Sequence, residues 1–192
     1  MAQKAIATDV RYSGGLDVSR FAPRHARALD EALAYLGQSD TFHRLLSRLA
    51  ASGNIVFVEY HPAHTKFLFH NPRNLRIQWN PCLALHDATG RLTPALLLAH
   101  ELGHAQFTAD ERAAMLRRDR PQGFQCEAYG VEEAAVIATV EQPIAAELNA
   151  ARSRAGLTPL ETACRCQHQL GRMIEVAGPL ASATASPALT VA

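Results

Sequence analysis

The sequence predicts an α+β fold in which a small β-sheet lies between two groups of helices, because the spacing of apolar residues changes twice along the chain. Helical spacing comes first, from Pro23 to Gly37 and from Asp40, the expected cap, to Gly53. Short runs rich in β-branched and aromatic residues follow, and Pro62 and Pro72 interrupt them. Helical spacing returns at Thr93-Pro94 and continues through most of the remaining chain.

The predicted strands are short, and the last of them precedes the most apolar helix of the chain. The main runs are residues 54–60, 65–70 and 75–80, and Cys82–Leu85 is a fourth, very short strand. Thr93 is the expected cap of the next helix, which runs from Pro94 to about Phe107.

Capping signals mark the later helices. Thr108 and Glu111 have the spacing of a capping box, and so do Thr158 and Glu161. We therefore expect a short helix after Thr108, then helices over about 131–141 and 143–156, and a last helix from the second capping box to about 176.

The composition is typical of one globular domain, which we place at residues 21–177. The chain has 192 residues, of which 48% are apolar and 19% charged. Residues 1–20 are small and polar and are expected to form a flexible leader. Residues 178–192 are rich in Ala, Ser, Thr and Pro and are expected to form a disordered tail.

Charge and hydropathy argue against nucleic-acid and membrane partners. The formal net charge is +1, whereas a nucleic-acid binder normally carries a basic face. No apolar run reaches the roughly 20 residues that cross a bilayer, and the N-terminus lacks the apolar core of a secretory signal. The cysteines are expected to be reduced thiols, although the last two leave a Cys-x-Cys metal clamp open: Cys82, Cys126, Cys164 and Cys166.

The segment His100-Glu101-Leu102-Gly103-His104 has the spacing that zinc hydrolysis requires. Residues i and i+4 share a helix face, so His100 and His104 can bind one ion. Glu101 lies about 100° around the helix from His100, so it can face the same cleft and accept a proton from a water at the metal. Gly103 leaves room for a close neighbour.

Two histidines also occur at this spacing by chance on a solvated helix face. The flanking residues argue against that explanation, because residues 94–99 are almost wholly apolar and Leu102 lies within the motif. Two histidines and a glutamate without partners would be costly in such a buried helix. We therefore predict one Zn²⁺ per chain at this site.

The sequence offers several candidates for the third metal ligand. The tenth position after His100, where one class of zinc peptidase has histidine, is Asp110, but an acid at a helix N-terminus also has an ordinary role. Glu132 and Glu133 form an acidic pair on an otherwise apolar helix, and Glu133 shares a face with the apolar residues that follow it. Glu127 is the remaining candidate. We favour Glu133.

Three segments together resemble one protein family: 76–81 (Arg-Ile-Gln-Trp-Asn-Pro), 92–105 with the motif, and 131–136 with the acidic pair. They are similar to the NleD-like type III effector metalloproteases, which include the XopG and HopH group of plant pathogens. The site also resembles that of clostridial neurotoxin light chains. The resemblance covers about residues 54–165. It implies a single zincin-like domain of the gluzincin type, with His100, His104 and Glu133 as ligands, Glu101 as base and Glu132 as a neighbour.

The resemblance also implies a zinc endopeptidase that a bacterium secretes by the type III route into the host cytosol, where it cuts a specific host protein. The leader would then be the secretion signal, and we expect a monomer. We expect the substrate to lie extended against an edge strand, Cys82–Leu85. One feature departs from the family: its late Arg-x-x-Tyr, which steadies the oxyanion, is replaced by Pro-Leu-Glu-Thr-Ala at 159–163. Arg165, Arg154 and Tyr129 are the candidates for that role.

Two other functions remain compatible with the sequence. A bacterial regulatory peptidase that cuts a repressor also carries His-Glu-Leu-Gly-His, but a fused DNA-reading module would favour it, and no helix-turn-helix pattern is evident. A zinc-holding binding module without turnover is favoured by the missing Arg-x-x-Tyr. Replacing Glu101 by Gln separates an enzyme from such a module.

Overall fold

The computed structural model describes residues 16–19, 21, 23–71, 74–86, 91–118, 130–161 and 172–180. These residues form an α+β fold, as the sequence predicted. The helices are α1 (Ala26–Leu36), α2 (Asp40–Ser52), α3 (Pro94–Ala105), α4 (Ala109–Arg118), α5 (Val131–Val136) and α6 (Gln142–Arg154), with a 3₁₀ turn at Pro23–His25 and a π-helical turn at Ile137–Glu141. The strands are β1 (Leu16–Asp17), β2 (Ile55–Tyr60), β3 (Lys66–Asn71), β4 (Asn74–Trp79), β5 (Leu83–His86), β6 (Arg91–Leu92) and β7 (Arg172–Glu175).

The first sheet has the strand order β1-β2-β4-β3. β2 pairs in parallel with β1 and β4, whereas β3 runs antiparallel to β4. Alternate residues of β4 (Leu75, Ile77 and Trp79) are buried and so face the helices. At the end of the sheet opposite β1, β3 is the outermost of the described strands.

The second sheet corrects one expectation about the substrate. The predicted short strand exists as β5, but it lies in the centre of the order β6-β5-β7 and pairs antiparallel with both neighbours. Both of its edges are thus occupied by backbone hydrogen bonds, so Cys82–Leu85 is not an edge strand and cannot accept a substrate by strand addition.

α3 is the central element of the fold and begins as predicted. Thr93 caps it by accepting a hydrogen bond from Leu96 N at 3.2 Å, and Pro94 occupies its first turn. Trp79 Nε1 donates to the Pro94 carbonyl at 2.8 Å, which ties the first turn to β4. Most of α3 is buried, including His100. The apolar flanks of the motif therefore do form a core helix.

The caps of two other helices show where local signals were sufficient. Thr108 and Glu111 form the predicted reciprocal capping box, with Thr108 N to Glu111 Oε2 at 2.8 Å and Glu111 N to Thr108 Oγ1 at 3.2 Å. Gly53 ends α2 in the left-handed region at φ 66°, as expected. The cap of α2 is Ser39 rather than Asp40, because the Ser39 hydroxyl accepts from Phe42 N.

The predicted last helix is wrong where it can be compared with the structure. Residues 172–175 form β7, because the chain returns to complete the second sheet beside β5. Residues 162–171 lie outside the described part. Glu161 does not close a capping box with Thr158; its carboxylate instead binds Thr93, to which it is brought by the tertiary fold.

The ends of the domain extend into the ranges expected to be leader and tail. Leu16 and Asp17 pair with Val56 and Phe57, and Leu16 is buried. At the other end, the Pro179 carbonyl accepts a hydrogen bond from Ala95 N at 3.0 Å. Residues 1–15 and 181–192 lie outside the described part, so the expectations of a leader and a tail stay predictions there.

Two further findings concern the function classes considered above. Within the described ranges, every helix is too short or too polar to span a membrane. Cys82 is a free thiol. The other three cysteines lie outside the described residues.

Candidate metal centre

The two histidines of the motif converge on one point beside α3. His100 and His104 lie one helical turn apart, and their Nε2 atoms are 3.2 Å from each other. His100 is buried and His104 is half-buried. Both rings therefore turn the same nitrogen to one position at the boundary of the core.

A second helix approaches α3 closely at this level, and Gly103 makes the approach possible. A Cβ at Gly103 would lie 2.8 Å from Val136 Cγ1 and 3.3 Å from both Val140 methyl carbons. The expectation that this glycine leaves room for a neighbour is confirmed. The neighbour is the continuous segment formed by α5, the π-helical turn and α6, which brings its acidic residues to the histidines.

The π-helical turn sets the direction of one of these acids. In a regular α-helix, Glu133 and Glu141 would point about 80° apart, because eight residues turn the helix by about 800°. A π turn accommodates an additional residue, which rotates Glu141 toward the face of Glu133. Pro143, two residues after this turn, has no N–H and cannot donate the regular helical hydrogen bond to the Thr139 carbonyl, which accounts for the local widening.

Glu133 completes a group of three residues that could hold a metal ion. Its Oε2 lies 3.0 Å from His104 Nε2, and its Oε1 lies 3.4 Å from His100 Nε2. One potential ligand atom from each residue lies within 4.8 Å of the other two. Of the other candidates, Asp110 is exposed in the first turn of α4, and Glu127 lies outside the described residues.

The outer nitrogen of each imidazole is held by another carboxylate. His100 Nδ1 lies 2.9 Å from Glu141 Oε2, and His104 Nδ1 lies 3.0 Å from Glu132 Oε1. Such contacts fix the ring orientation and leave Nε2 as the coordinating nitrogen. Glu132 is thus the neighbour that the resemblance implied. Sequence analysis did not identify Glu141, which is buried in the structure. The available signal was an acidic residue flanked by Val140 and Ile144 in an apolar helical segment.

The charges of the group favour a cation. Burial lowers the pKa of His100, but hydrogen bonds to Glu133 and Glu141 outweigh it and raise that pKa to about 10. Burial also opposes protonation of His104, and bonds to Glu132 and Glu133 nevertheless raise its pKa. Burial raises the pKa of Glu133, whereas its contacts with both imidazoles lower it strongly. Two imidazole nitrogens and a carboxylate oxygen facing each other form a donor set that suits a divalent transition metal.

Glu101 lies outside this donor group, at the junction of α3 and β3. Its Oε2 accepts a hydrogen bond from Phe67 N at 2.7 Å. The Phe67 ring stacks on His104, with ring centroids 5.8 Å apart and planes inclined by 16°. Glu101 therefore lies at the outer edge of the sheet next to the histidines, and its expected role as base stays a prediction.

Arg112 of α4 is a further residue of the centre that sequence analysis missed. It is buried, and its guanidinium donates to Glu132 Oε1 and to the main-chain carbonyl of His104. No local signal distinguishes it, because it follows Asp110 and Glu111 in a charged helix whose first turn is exposed.

The residues considered for the oxyanion role lie elsewhere or outside the described ranges. The segment that replaces Arg-x-x-Tyr includes Glu161, which binds Thr93 at the N-terminal end of α3, about 10 Å along the helix from His100. Arg154 is exposed at the far end of α6, about 20 Å along the helix from Glu141. Tyr129 and Arg165 lie outside the described residues.

Comparisons with known proteins add no assignment. No protein-family model matches this chain, and neither the curated proteins nor the solved structures give a match. The functional argument therefore rests on the residues of the site.

Proposed function

We propose that this chain is a zinc-dependent endopeptidase in which His100, His104 and Glu133 hold one Zn²⁺ and Glu101 is the general base. The observation that supports the proposal best is that the three potential ligands and the proposed base make separate contacts around α3. Three side chains turn ligand atoms to one point, while the glutamate beside the first histidine is not in this group and bonds to the edge of β3. Three protein ligands leave one zinc position open, which is typical of catalytic rather than structural zinc.

The chain's own residues account for the proton transfers of peptide hydrolysis. When bound, zinc supplies a Lewis acid that acidifies water and polarises a carbonyl group. Glu101 can take a proton from a water in the cleft and return it to the nitrogen of the leaving amine. Glu132 and Glu141 keep both imidazoles oriented throughout, because each accepts a hydrogen bond from Nδ1.

The substrate is proposed to lie extended along β3. Among the described residues this strand pairs with β4 on one side only, and the Phe67 N–H on its other side points to Glu101. A peptide added at this edge would pass both the base and the histidines. The proposal replaces β5, whose two edges are already paired.

The route and target of the enzyme are proposed from the resemblance described above. Similarity to the NleD-like effectors supports a zincin-like domain that a bacterium delivers by type III secretion, as a monomer, into the host cytosol to cut a specific host protein. The residues that carry this resemblance include Trp79, which holds the first turn of α3, and the pair Glu132-Glu133 beside the histidines.

The test is a search for new protein N-termini in eukaryotic cells that express the chain. Wild type should generate a small set of new N-termini, and Glu101→Gln should remove nearly all of them because an amide cannot accept the proton. General-base losses are typically on the order of 100- to 10,000-fold. Glu31→Gln is the matched control, since Glu31 forms an exposed ion pair with Arg27 on α1, away from the site.

Zinc content must be equal in the variants compared. The same N-termini from wild type and Glu101→Gln would show that Glu101 is not the base. Zinc binding and capture of a host protein without any cleavage would instead support the binding module. The absence of the Arg-x-x-Tyr motif at 159–163 favours that alternative.

A further inference from the structure

Arg112 is the only residue in the first turns of α4 that is buried, although its neighbours Asp110 and Glu111 are exposed. A buried guanidinium is costly unless its charge and its donors are satisfied. Nη1 and Nη2 of Arg112 have hydrogen-bond partners, whereas its buried Nε has none among the described residues. The partners of the two Nη atoms indicate the role of Arg112.

The polar contacts of Arg112 join two elements of the metal centre. Nη1 donates to Glu132 Oε1, the same oxygen that His104 Nδ1 approaches at 3.0 Å. Nη2 donates to the carbonyl of His104, which lies in the last turn of α3, where carbonyl groups lack helical partners. The planar guanidinium can make both contacts at once, which a lysine ammonium reproduces poorly.

The apolar contacts of Arg112 extend to the edge strand. The guanidinium carbon lies 4.8 Å from the ring centre of Phe67, 5.1 Å from that of Phe69 and 6.0 Å from that of Phe107. Phe67 in turn stacks on His104 and donates its N–H to Glu101. The guanidinium thus contacts α3, α5 and β3 at the level of the metal group.

We propose that Arg112 is a positioning residue of the metal centre, which holds Glu132 against His104 and fixes β3 beside the same ring. The inference rests on the proposed zinc site, and it assigns a role to a residue outside the group of three proposed ligands. Without Arg112, Glu132 loses the donor that fixes its shared oxygen, and the His104 ring loses its defined orientation.

The test measures zinc affinity by competition with a chromophoric chelator. Arg112→Gln should weaken zinc binding about 10- to 100-fold, which is the usual effect of removing an outer-shell hydrogen-bond partner of a metal site. Arg112→Lys should restore little of the zinc affinity, because lysine keeps the charge but lacks the planar guanidinium with its two parallel donors. Arg76→Gln is the control: Arg76 forms an ion pair with Glu59 at 3.0 Å on the other face of the sheet, and its loss should leave affinity unchanged.

A second pair of variants separates positioning from a merely structural role. Because Arg112 acts in part through Glu132, the double variant Arg112→Gln/Glu132→Gln should lose less zinc affinity than the sum of the two single losses. It also leaves no charge unpaired, so it keeps the test valid if Arg112→Gln does not fold. Losses that add in the double variant, or a lower melting temperature with unchanged affinity, would overturn the inference. Wild type without zinc would overturn the proposed function as well.

Discussion

The two ends of α3 are both held by buried or half-buried carboxylates, yet only the C-terminal end carries a group of residues that could hold a metal ion. At the N-terminal end, Glu161 accepts hydrogen bonds from Thr93 N at 3.0 Å, from the Thr93 hydroxyl at 2.7 Å and from the Tyr35 hydroxyl at 3.2 Å. At the C-terminal end, Glu132 and Glu141 lie against the outer nitrogens of the two histidines.

The difference lies in the partners and not in the residue type. The donors around Glu161 are neutral, so burial dominates and raises the pKa of this carboxyl to about 7 despite its hydrogen bonds. Glu132 faces His104 and Arg112, and their contacts lower its pKa although burial works in the opposite direction. A glutamate with neutral donors anchors the helix, whereas the glutamates among the imidazoles fix the rings or complete a group that could hold a metal ion.

The largest expected effect separates the two ends by zinc content. Glu133→Ala should lower zinc affinity by at least 100-fold, because it removes a proposed ligand, whereas Glu161→Gln at the other end should leave affinity unchanged. Asp110→Ala, an exposed acid on α4, is the matched control. Competition titration measures the zinc affinity of all three variants. A larger loss for Asp110→Ala than for Glu133→Ala would show that the third ligand is Asp110 on α4 and not Glu133 on α5.

A smaller effect concerns the pH dependence at the N-terminal end. The folded chain retains the Glu161 proton up to about pH 7, whereas the ordinary pKa of this group is 4.5. The folded state therefore binds more protons between these values, and the free energy of unfolding should fall as pH rises from 4.5 to 7. The contribution is at most about 3 kcal/mol.

Glu161→Gln should remove this part of the pH dependence, because the amide stays neutral at every pH. Denaturant unfolding at pH 5, 6, 7 and 8 gives the difference between variant and wild type, in which the other titrating groups cancel. A difference that stays constant over this range would show that Glu161 is already ionised at pH 5.

The smallest expected effect tests the close contact of α3 with α5. Gly103→Ala should destabilise the fold by about 1–2 kcal/mol, because its Cβ would overlap the stiff side chain of Val136. Alanine otherwise stabilises a helix by about 1 kcal/mol relative to glycine. Gly178→Ala, with open space around the new Cβ, is the control. A higher melting temperature for Gly103→Ala would show that the two helices separate at little cost.

Local signals predicted the part of the site that lies on one element. Helical spacing placed His100, Glu101 and His104, and the Thr93-Pro94 start placed their helix. Glu133 was favoured as a ligand because it combines charge with an apolar helix face, and the structure brings it to both histidines. Each of these inferences needed only periodicity and the cost of burying charge.

Long-range partners could not be predicted in this way. Arg112 and Glu161 resemble ordinary surface residues until the fold brings them to His104 and Thr93. β7 was mistaken for helix because its pairing with β5 lies far away along the chain. The edge position of β3 likewise depends on strand order, which the spacing of residues does not encode.

X-ray absorption at the zinc edge of the purified chain measures the ligands of the proposed zinc site. The account predicts one zinc per chain with nitrogen and oxygen ligands at about 2.0–2.2 Å, and with the outer-shell scattering of two imidazole rings that His104→Ala reduces. A chain that retains no zinc, or a shell that contains sulfur or fewer than two imidazoles, would contradict the assignment of His100, His104 and Glu133.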